Sequence, residues 1–152
     1  MDSTIHIFTD GSAIGCPGPG GWAAVVISGT KSWEMSGFCP WATISEMELL
    51  AAVEALRSVP PGALVELSSD SELLIHGMRA HITRWRKQGW RNNRGTPLHH
   101  QHLWKELLEM NERMNIQWRW VRGHNGHPVQ SRAHALAYRA ARTQWCDLRM
   151  VA

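Results

Sequence analysis

The sequence predicts an α/β domain built on a mixed β-sheet. Three observations carry that expectation: five short stretches with strand character, helical periodicity in the longer stretches between them, and glycine or proline at the junctions. Taken in order, "TIHIFTD" (4–10) alternates apolar and polar residues as a strand, and "GSAIGCPGPGG" after it reads as a turn-rich connector shaped for a hairpin. "WAAVVIS" and "KSWEMSGF" are two further strands joined through Gly29, which makes the first three an antiparallel meander. From Thr43 the pattern changes to "ISEMELLAAVEALRSV", about four helical turns stopped by Pro60 and Pro61.

"ALVELSSD" returns to strand and ends at Asp70. Three helical stretches follow: "SELLIHGMRA", then the strongly basic "HITRWRKQGW", then "HHQHLWKELLEMNERM". "IQWRWVR" is a fifth strand with tryptophans on one face, "GHNGHP" is a loop, and Pro128 suits the first turn of a last helix running to about Thr143. No repeat or linker interrupts the chain, so residues 1–152 form one domain with an ordered core expected over about 4–143.

Composition narrows the function classes. Hydrophobic residues make up 43% of the chain and charged residues 19%, ordinary values for a folded domain and unlike a disordered one. A net charge of +3 is mildly basic and points to an anionic partner only if the basic residues cluster. Three cysteines without CxxC spacing argue against a disulfide framework or a structural zinc. Neither a leader pattern nor a run of about 18 apolar residues is present, so the expectation is a cytoplasmic monomer without a membrane partner.

Asp10 and Asp70 close the first and fourth strands, at the carboxyl ends where open α/β sheets place their sites. Each alone also reads as a turn residue or helix cap. On the intervening helix, Glu48 shares a stripe with Ala52, Ala55 and Leu56, while Glu46 lies above Leu50, Val53 and Arg57, and geometry alone barely separates the two. Carboxylates meeting in one cleft repel, and a hard divalent cation compensates them, which points to Mg²⁺ or Mn²⁺ and phosphate chemistry. "GCPGPGG" lacks the GK[ST] ending of a phosphate loop.

Between Arg79 and Arg94 the chain carries six basic residues (Arg79, Arg84, Arg86, Lys87, Arg91, Arg94), no acid, and the rings of Trp85 and Trp90. Such a run is either a solvated face or a nucleic-acid surface, and the unbalanced charge with interleaved aromatics favours the second. His124 and His127 stand on a glycine-bearing loop, where a histidine near a carboxylate cleft shuttles protons near neutral pH. His99, His100 and His102 read as helix-start residues.

These motifs together resemble type 1 ribonuclease H in its bacterial form, from "IFTDGSAIGCPGPGGW" through "EMELLAAVEAL", "LSSDSELL", "RWRKQGW" and "WRWVRGHNGHP" to the last helix. The resemblance implies a five-stranded mixed sheet ordered 3-2-1-4-5 with helices on both faces. It also implies an endoribonuclease that hydrolyses the RNA strand of RNA/DNA hybrids with two metal ions, leaving 3′-hydroxyl and 5′-phosphate ends. By motif, Asp10, Glu48 and Asp70 are metal-binding carboxylates, His124 is the mobile-loop histidine, and Trp85, Arg86, Lys87 and Trp90, with Arg84, belong to the hybrid-binding protrusion. Two Mg²⁺ ions are the implied cofactor.

The chain departs from the family pattern at His134, which occupies the position of the usual fourth catalytic aspartate. Cys16, Ile44, Ser45 and Glu72 also replace residues of the family's RNA-contacting set. Around His134, "SRAHALAYRAA" places Ala133, Leu136, Ala137 and Ala140 in an inward stripe with the histidine at its edge. A neutral imidazole ligates a divalent ion but carries no negative charge, and Mn²⁺ accepts nitrogen more readily than Mg²⁺. The expectation is a metal ligand with Mn²⁺ favoured; action through water is the other reading. A hybrid-binding module with weak or no turnover is the alternative function.

Overall fold

The computed structural model describes residues 3–123 and 126–151, with side chains described as far as 143. Strand β1 (Ile5–Ala13) forms an antiparallel meander with β2 (Gly18–Ser28) and β3 (Lys31–Ala42). Helix α1 (Ile44–Arg57) crosses to β4 (Leu64–Ser69), which runs parallel to β1. Then come α2 (Glu72–His76), a π-helical turn (Gly77–His81), α3 (Ile82–Lys87) and α4 (Gln101–Arg113). Strand β5 (Asn115–Trp120) pairs in parallel with β4, and α5 (Pro128–Val151) closes the described chain. The sheet order is β3-β2-β1-β4-β5, the mixed α/β architecture expected.

Two boundaries differ from expectation near the carboxyl end of β1. The strand continues past Asp10 to Ala13 because residues 11–13 still pair with Gly20, Gly21 and Trp22 of β2. Its parallel pairing with β4 stops at Thr9 and Ser69, so Asp10 and Asp70 flank the next step of the sheet. Gly11 and Gly21, which read as connector, are strand residues under close-packed helices. A Cβ on Gly21 would strike the Ala137 carbonyl of α5, and one on Gly11 would lie 2.5 Å from the Glu48 amide of α1.

The two helices expected over 71–90 form one continuous helical path. Gly77 does not end it, since its backbone stays right-handed; the missing side chain instead admits the Trp104 ring, which a Cβ would meet at 2.5 Å. The last helix runs eight residues beyond Thr143, to Val151, with neither Pro nor Gly in that stretch to stop it.

The core lies between the sheet and the α1 to α4 side. Ile7, Val26, Leu49, Leu56, Leu67, Leu74 and Leu107 are fully buried there. On the other face Ala133, Ala137 and Ala141 of α5 are fully buried, while Leu136 and Ala140 are half-buried. The inward stripe is therefore rotated toward Ala141 relative to the sequence reading. Small residues on that stripe, facing glycine in β2, let α5 approach the sheet closely.

Candidate active site

Three elements deliver one carboxylate each. Thr43 caps α1, its hydroxyl accepting from the Glu46 amide (3.1 Å), and Met47, Leu49 and Val53 bury the inner face. That orientation, with the close approach at Gly11, brings Glu48 over the end of β1. Asp10 is buried, and Asp70 follows β4 directly. Ligand oxygens of Asp10, Glu48 and Asp70 all lie within 4.8 Å of one another. Glu46 belongs elsewhere: its carboxylate lies 3.6 Å from His100 Nδ1.

The electrostatics follow from this crowding. Burial pushes the Asp10 carboxyl up to about 6, with the Asp70 charge adding to it and hydrogen bonds from His134 and the Gly11 amide opposing it. Burial likewise pushes Glu48 up to about 7; a hydrogen bond with Ser71 opposes this, and the charges of Asp70 and Asp10 add to it. Converging oxygens that resist ionisation without a counter-charge are the donor set a hard divalent cation fits.

His134 projects from the second turn of α5, half exposed, with Nδ1 2.7 Å from Asp10 Oδ2. The nitrogen donates when Asp10 is ionised. Just upstream, the Gln130 amide donates to the Thr9 carbonyl (2.9 Å), and His127 stacks on Phe8 with ring centroids 5.1 Å apart. Residues 127, 130 and 134 thus meet three consecutive β1 residues, 8, 9 and 10, and fix the start of α5 beside the triad. His124 lies outside the described residues. Its neighbour Gly123 is packed so closely on Asp70 that a Cβ would lie 3.0 Å from Oδ2.

The basic segment divides in two. Arg84, Arg86 and Lys87 are exposed, with Arg86 held by Glu112 (2.8 Å) and Arg84 beside His81. Trp85 is only 8% exposed and meets Trp104 edge-on at 4.9 Å. The ring is buried because α4 covers the face of α3 that carries it. What remains accessible is the floor of a groove of about 440 Å³, shared with Cys16, Thr43, Leu73, His100 and Trp104. Trp90 is half-buried, with a left-handed backbone (φ 64) and Lys105 Nζ 5.8 Å from its ring centroid.

Sequence reasoning missed Ser71, which caps α2 and reaches Glu48. It also missed Gln130, whose buried amide carries no motif. Ser71 was legible as a serine preceding a helical stretch. Of the departures from the family pattern, Cys16 and Ile44 are exposed, Ser45 is half-buried near Cys16 in the groove, and Glu72 is exposed. No helix among the described residues is long and apolar enough to cross a membrane.

Comparison with known proteins agrees with this arrangement. A family model described as RNase H matches residues 2–142. The chain is 41% identical over 137 residues to the ribonuclease HI of Caulobacter vibrioides, covering 90% of this chain and 92% of that protein. It is 43% identical over 137 residues to the ribonuclease H of Pseudoalteromonas atlantica, covering 90% of each. Among solved structures, LC9-RNase H1, described as a type 1 RNase H with the type 2 active-site motif, gives a TM-score of 0.81 at 27% identity over 91% of this chain and 72% of that one. LC11-RNase H1, solved with an RNA/DNA hybrid, shares the fold with a TM-score of 0.69 at 22% identity over 93% of this chain and 99% of that one. With its carboxylates gathered at the carboxyl edge of a 3-2-1-4-5 sheet, the chain belongs to the ribonuclease H family, among the type 1 bacterial members.

Proposed function

We propose that this protein is an endoribonuclease that hydrolyses the RNA strand of RNA/DNA hybrids with two divalent cations, leaving 3′-hydroxyl and 5′-phosphate ends. The observation that carries the reading is the Asp10, Glu48, Asp70 cluster, whose oxygens lie within 4.8 Å of one another in a chain of this family. A pair of cations bound there supplies activation of the attacking water and charge neutralisation at the leaving 3′-oxygen.

The chain's own residues supply the rest. Asp10, Glu48 and Asp70 hold the cations, and His134, hydrogen-bonded to Asp10, takes the fourth ligand position with an uncharged nitrogen. Its softer donor favours Mn²⁺ over Mg²⁺ relative to a carboxylate. His124 moves the proton at the departing oxygen. Arg84, Arg86, Lys87, Trp85 and Trp90 form the surface for the DNA strand, with cations on phosphates and rings against sugar, Trp85 presenting only the part of its ring that lines the groove beside Cys16 and Trp104. Selecting a hybrid over DNA requires contact with 2′-hydroxyls in a wide minor groove.

The test compares labelled RNA/DNA, RNA/RNA and DNA/DNA duplexes in Mg²⁺ and in Mn²⁺. Only the RNA strand of the hybrid is cut, giving 5′-phosphorylated fragments, and Asp10→Asn abolishes cutting. Cleavage that survives Asp10→Asn overturns the assignment of the centre. Salt-sensitive binding without products in either metal establishes a binding module instead.

A further inference from the structure

Two turns of α5 beyond His134 carry an arrangement that the triad does not use. The Tyr138 ring is 45% exposed and lies 6.4 Å, at 28°, from the His134 ring. The Arg142 guanidinium carbon sits 4.3 Å above the centroid of Tyr138. The result is a ladder of imidazole, phenol ring and guanidinium running outward along the helix from Asp10.

Arg142 differs from the arginines that this fold pairs with carboxylates. Arg57, Arg86, Arg113, Arg119 and Arg132 each have a carboxylate oxygen within 3.1 Å. Among the described residues no carboxylate pairs with Arg142; it lies instead on an aromatic face. Stacking restrains a guanidinium while leaving its in-plane N–H donors free, and those donors match phosphate oxygens. A carboxylate partner would have consumed both the donors and the charge.

Spacing identifies what the cation meets. Residues eight apart on a helix are separated by about 12 Å, and a duplex strand advances roughly 3.4 Å along its axis per nucleotide. A strand that runs along α5 from a scissile phosphate at Asp10 therefore brings a further phosphate to Arg142 within about two to four nucleotides. We propose that Tyr138 and Arg142 form a phosphate-binding subsite for the cleaved RNA strand, with Tyr138 orienting the guanidinium and Arg142 bonding the phosphate. The subsite rests on the hybrid-cleaving reading above and extends it along the strand.

The test uses the full-length protein and hybrids whose cleavable strand carries one short ribonucleotide block, which fixes the cut. One hybrid is long on both sides; two are trimmed to two nucleotides from the cut, on the 5′ or on the 3′ side. On the long hybrid, Arg142→Ala raises KM and makes its salt dependence shallower. Losing one phosphate contact shrinks the difference from wild type by about threefold between 50 and 200 mM salt. Arg142→Lys keeps the wild-type salt slope. Tyr138→Leu raises KM and also keeps the slope, because the charge remains but is no longer held.

The difference between Arg142→Ala and wild type disappears on one trimmed hybrid and persists on the other, which also assigns the strand direction. An unchanged salt slope, or a difference that persists on both trimmed hybrids, overturns the subsite. Failure of the wild type to cut the long hybrid instead overturns the underlying functional reading. Thermal melting in buffer, where an exposed Arg142→Ala leaves the midpoint in place, separates a binding effect from a folding one.

Discussion

Nδ1 of His134 lies 2.7 Å from Oδ2 of Asp10, joining the second turn of α5 to the end of β1 at the centre of the carboxylate cluster. A histidine in that place changes the charge of the site by one unit relative to a carboxylate. It also offers a donor to a carboxylate that burial and the Asp70 charge make hard to ionise. His134→Asp removes the donor and adds a repelling charge. Titration calorimetry on that variant and on the wild type should show the ratio of Mn²⁺ to Mg²⁺ affinity falling in the variant, with the ratio of cleavage rates falling alongside. Equal ratios in the two proteins remove His134 from the ligand set.

The shifts at Asp10 and Glu48 also set a pH dependence for metal binding. With carboxyls pushed up to about 6 and about 7, the metal-free cluster is partly protonated below neutrality. Cation binding must then displace protons. Affinity for Mg²⁺ should rise from pH 5.5 to 7.5 and flatten above. Proton release, read from calorimetry in buffers of different ionisation enthalpy, should shrink over the same range. A pH-independent affinity would contradict the crowding of the cluster.

The same groups act on stability with a definite sign. Their folded values lie above the ordinary 3.8 and 4.5, so the folded state binds more protons than the unfolded chain between about pH 4 and 7. Their contribution is therefore most favourable below that window and falls as pH rises through it. In EDTA at pH 8, Glu48→Gln should be more stable than wild type by on the order of 2 kcal/mol. The gain should vanish at pH 4, and saturating divalent cation should narrow it at pH 8 by stabilising the wild type. Urea denaturation at both pH values measures it, and no gain at pH 8 would refute the strain.

Gly11 is required by packing and not by its backbone angle. A Cβ there would lie 2.5 Å from the Glu48 amide and 2.7 Å from the Met47 carbonyl carbon, so α1 must move away. Gly11→Ala should cost about 1–3 kcal/mol and lower cleavage by displacing Glu48. A melting curve and a rate measured on the same preparation check both effects. Retention of full activity would show that the helix yields without moving the carboxylate.

The basic segment separates into packing and binding residues. Trp85→Ala should destabilise the fold by about 3–5 kcal/mol through a cavity against Trp104. Lys87→Ala should leave the melting midpoint in place while reducing the salt slope of hybrid binding by about one. The reverse pattern would return Trp85 to the surface role read from the sequence.

Much of this was written in local sequence. Alternation and helical periodicity specify the strands and helices because backbone geometry repeats every two or 3.6 residues, whatever surrounds it. Asp10 and Asp70 were legible because they stand where strand character gives way to turn residues. Strand ends were less so: Asp10 looked terminal, yet β2 keeps pairing with the three residues after it.

What only the tertiary structure decided is which of several equivalent side chains faces which neighbour. Glu46 and Glu48 differ by two positions on one helix, and periodicity ranks them almost equally. The approach of α1 over Gly11 sends Glu48 to the cluster and leaves Glu46 to His100. Trp85 looked like part of a basic surface until Trp104 of α4 closed over its face. The Tyr138 and Arg142 ladder is helical spacing in the sequence, but its place beside Asp10 depends on α5 crossing β1. The sequence alone determined the elements and the residue types at their ends, because those follow from near neighbours along the chain. Only the tertiary structure could join Asp10 to His134, since residues 124 positions apart meet through the packing of whole elements.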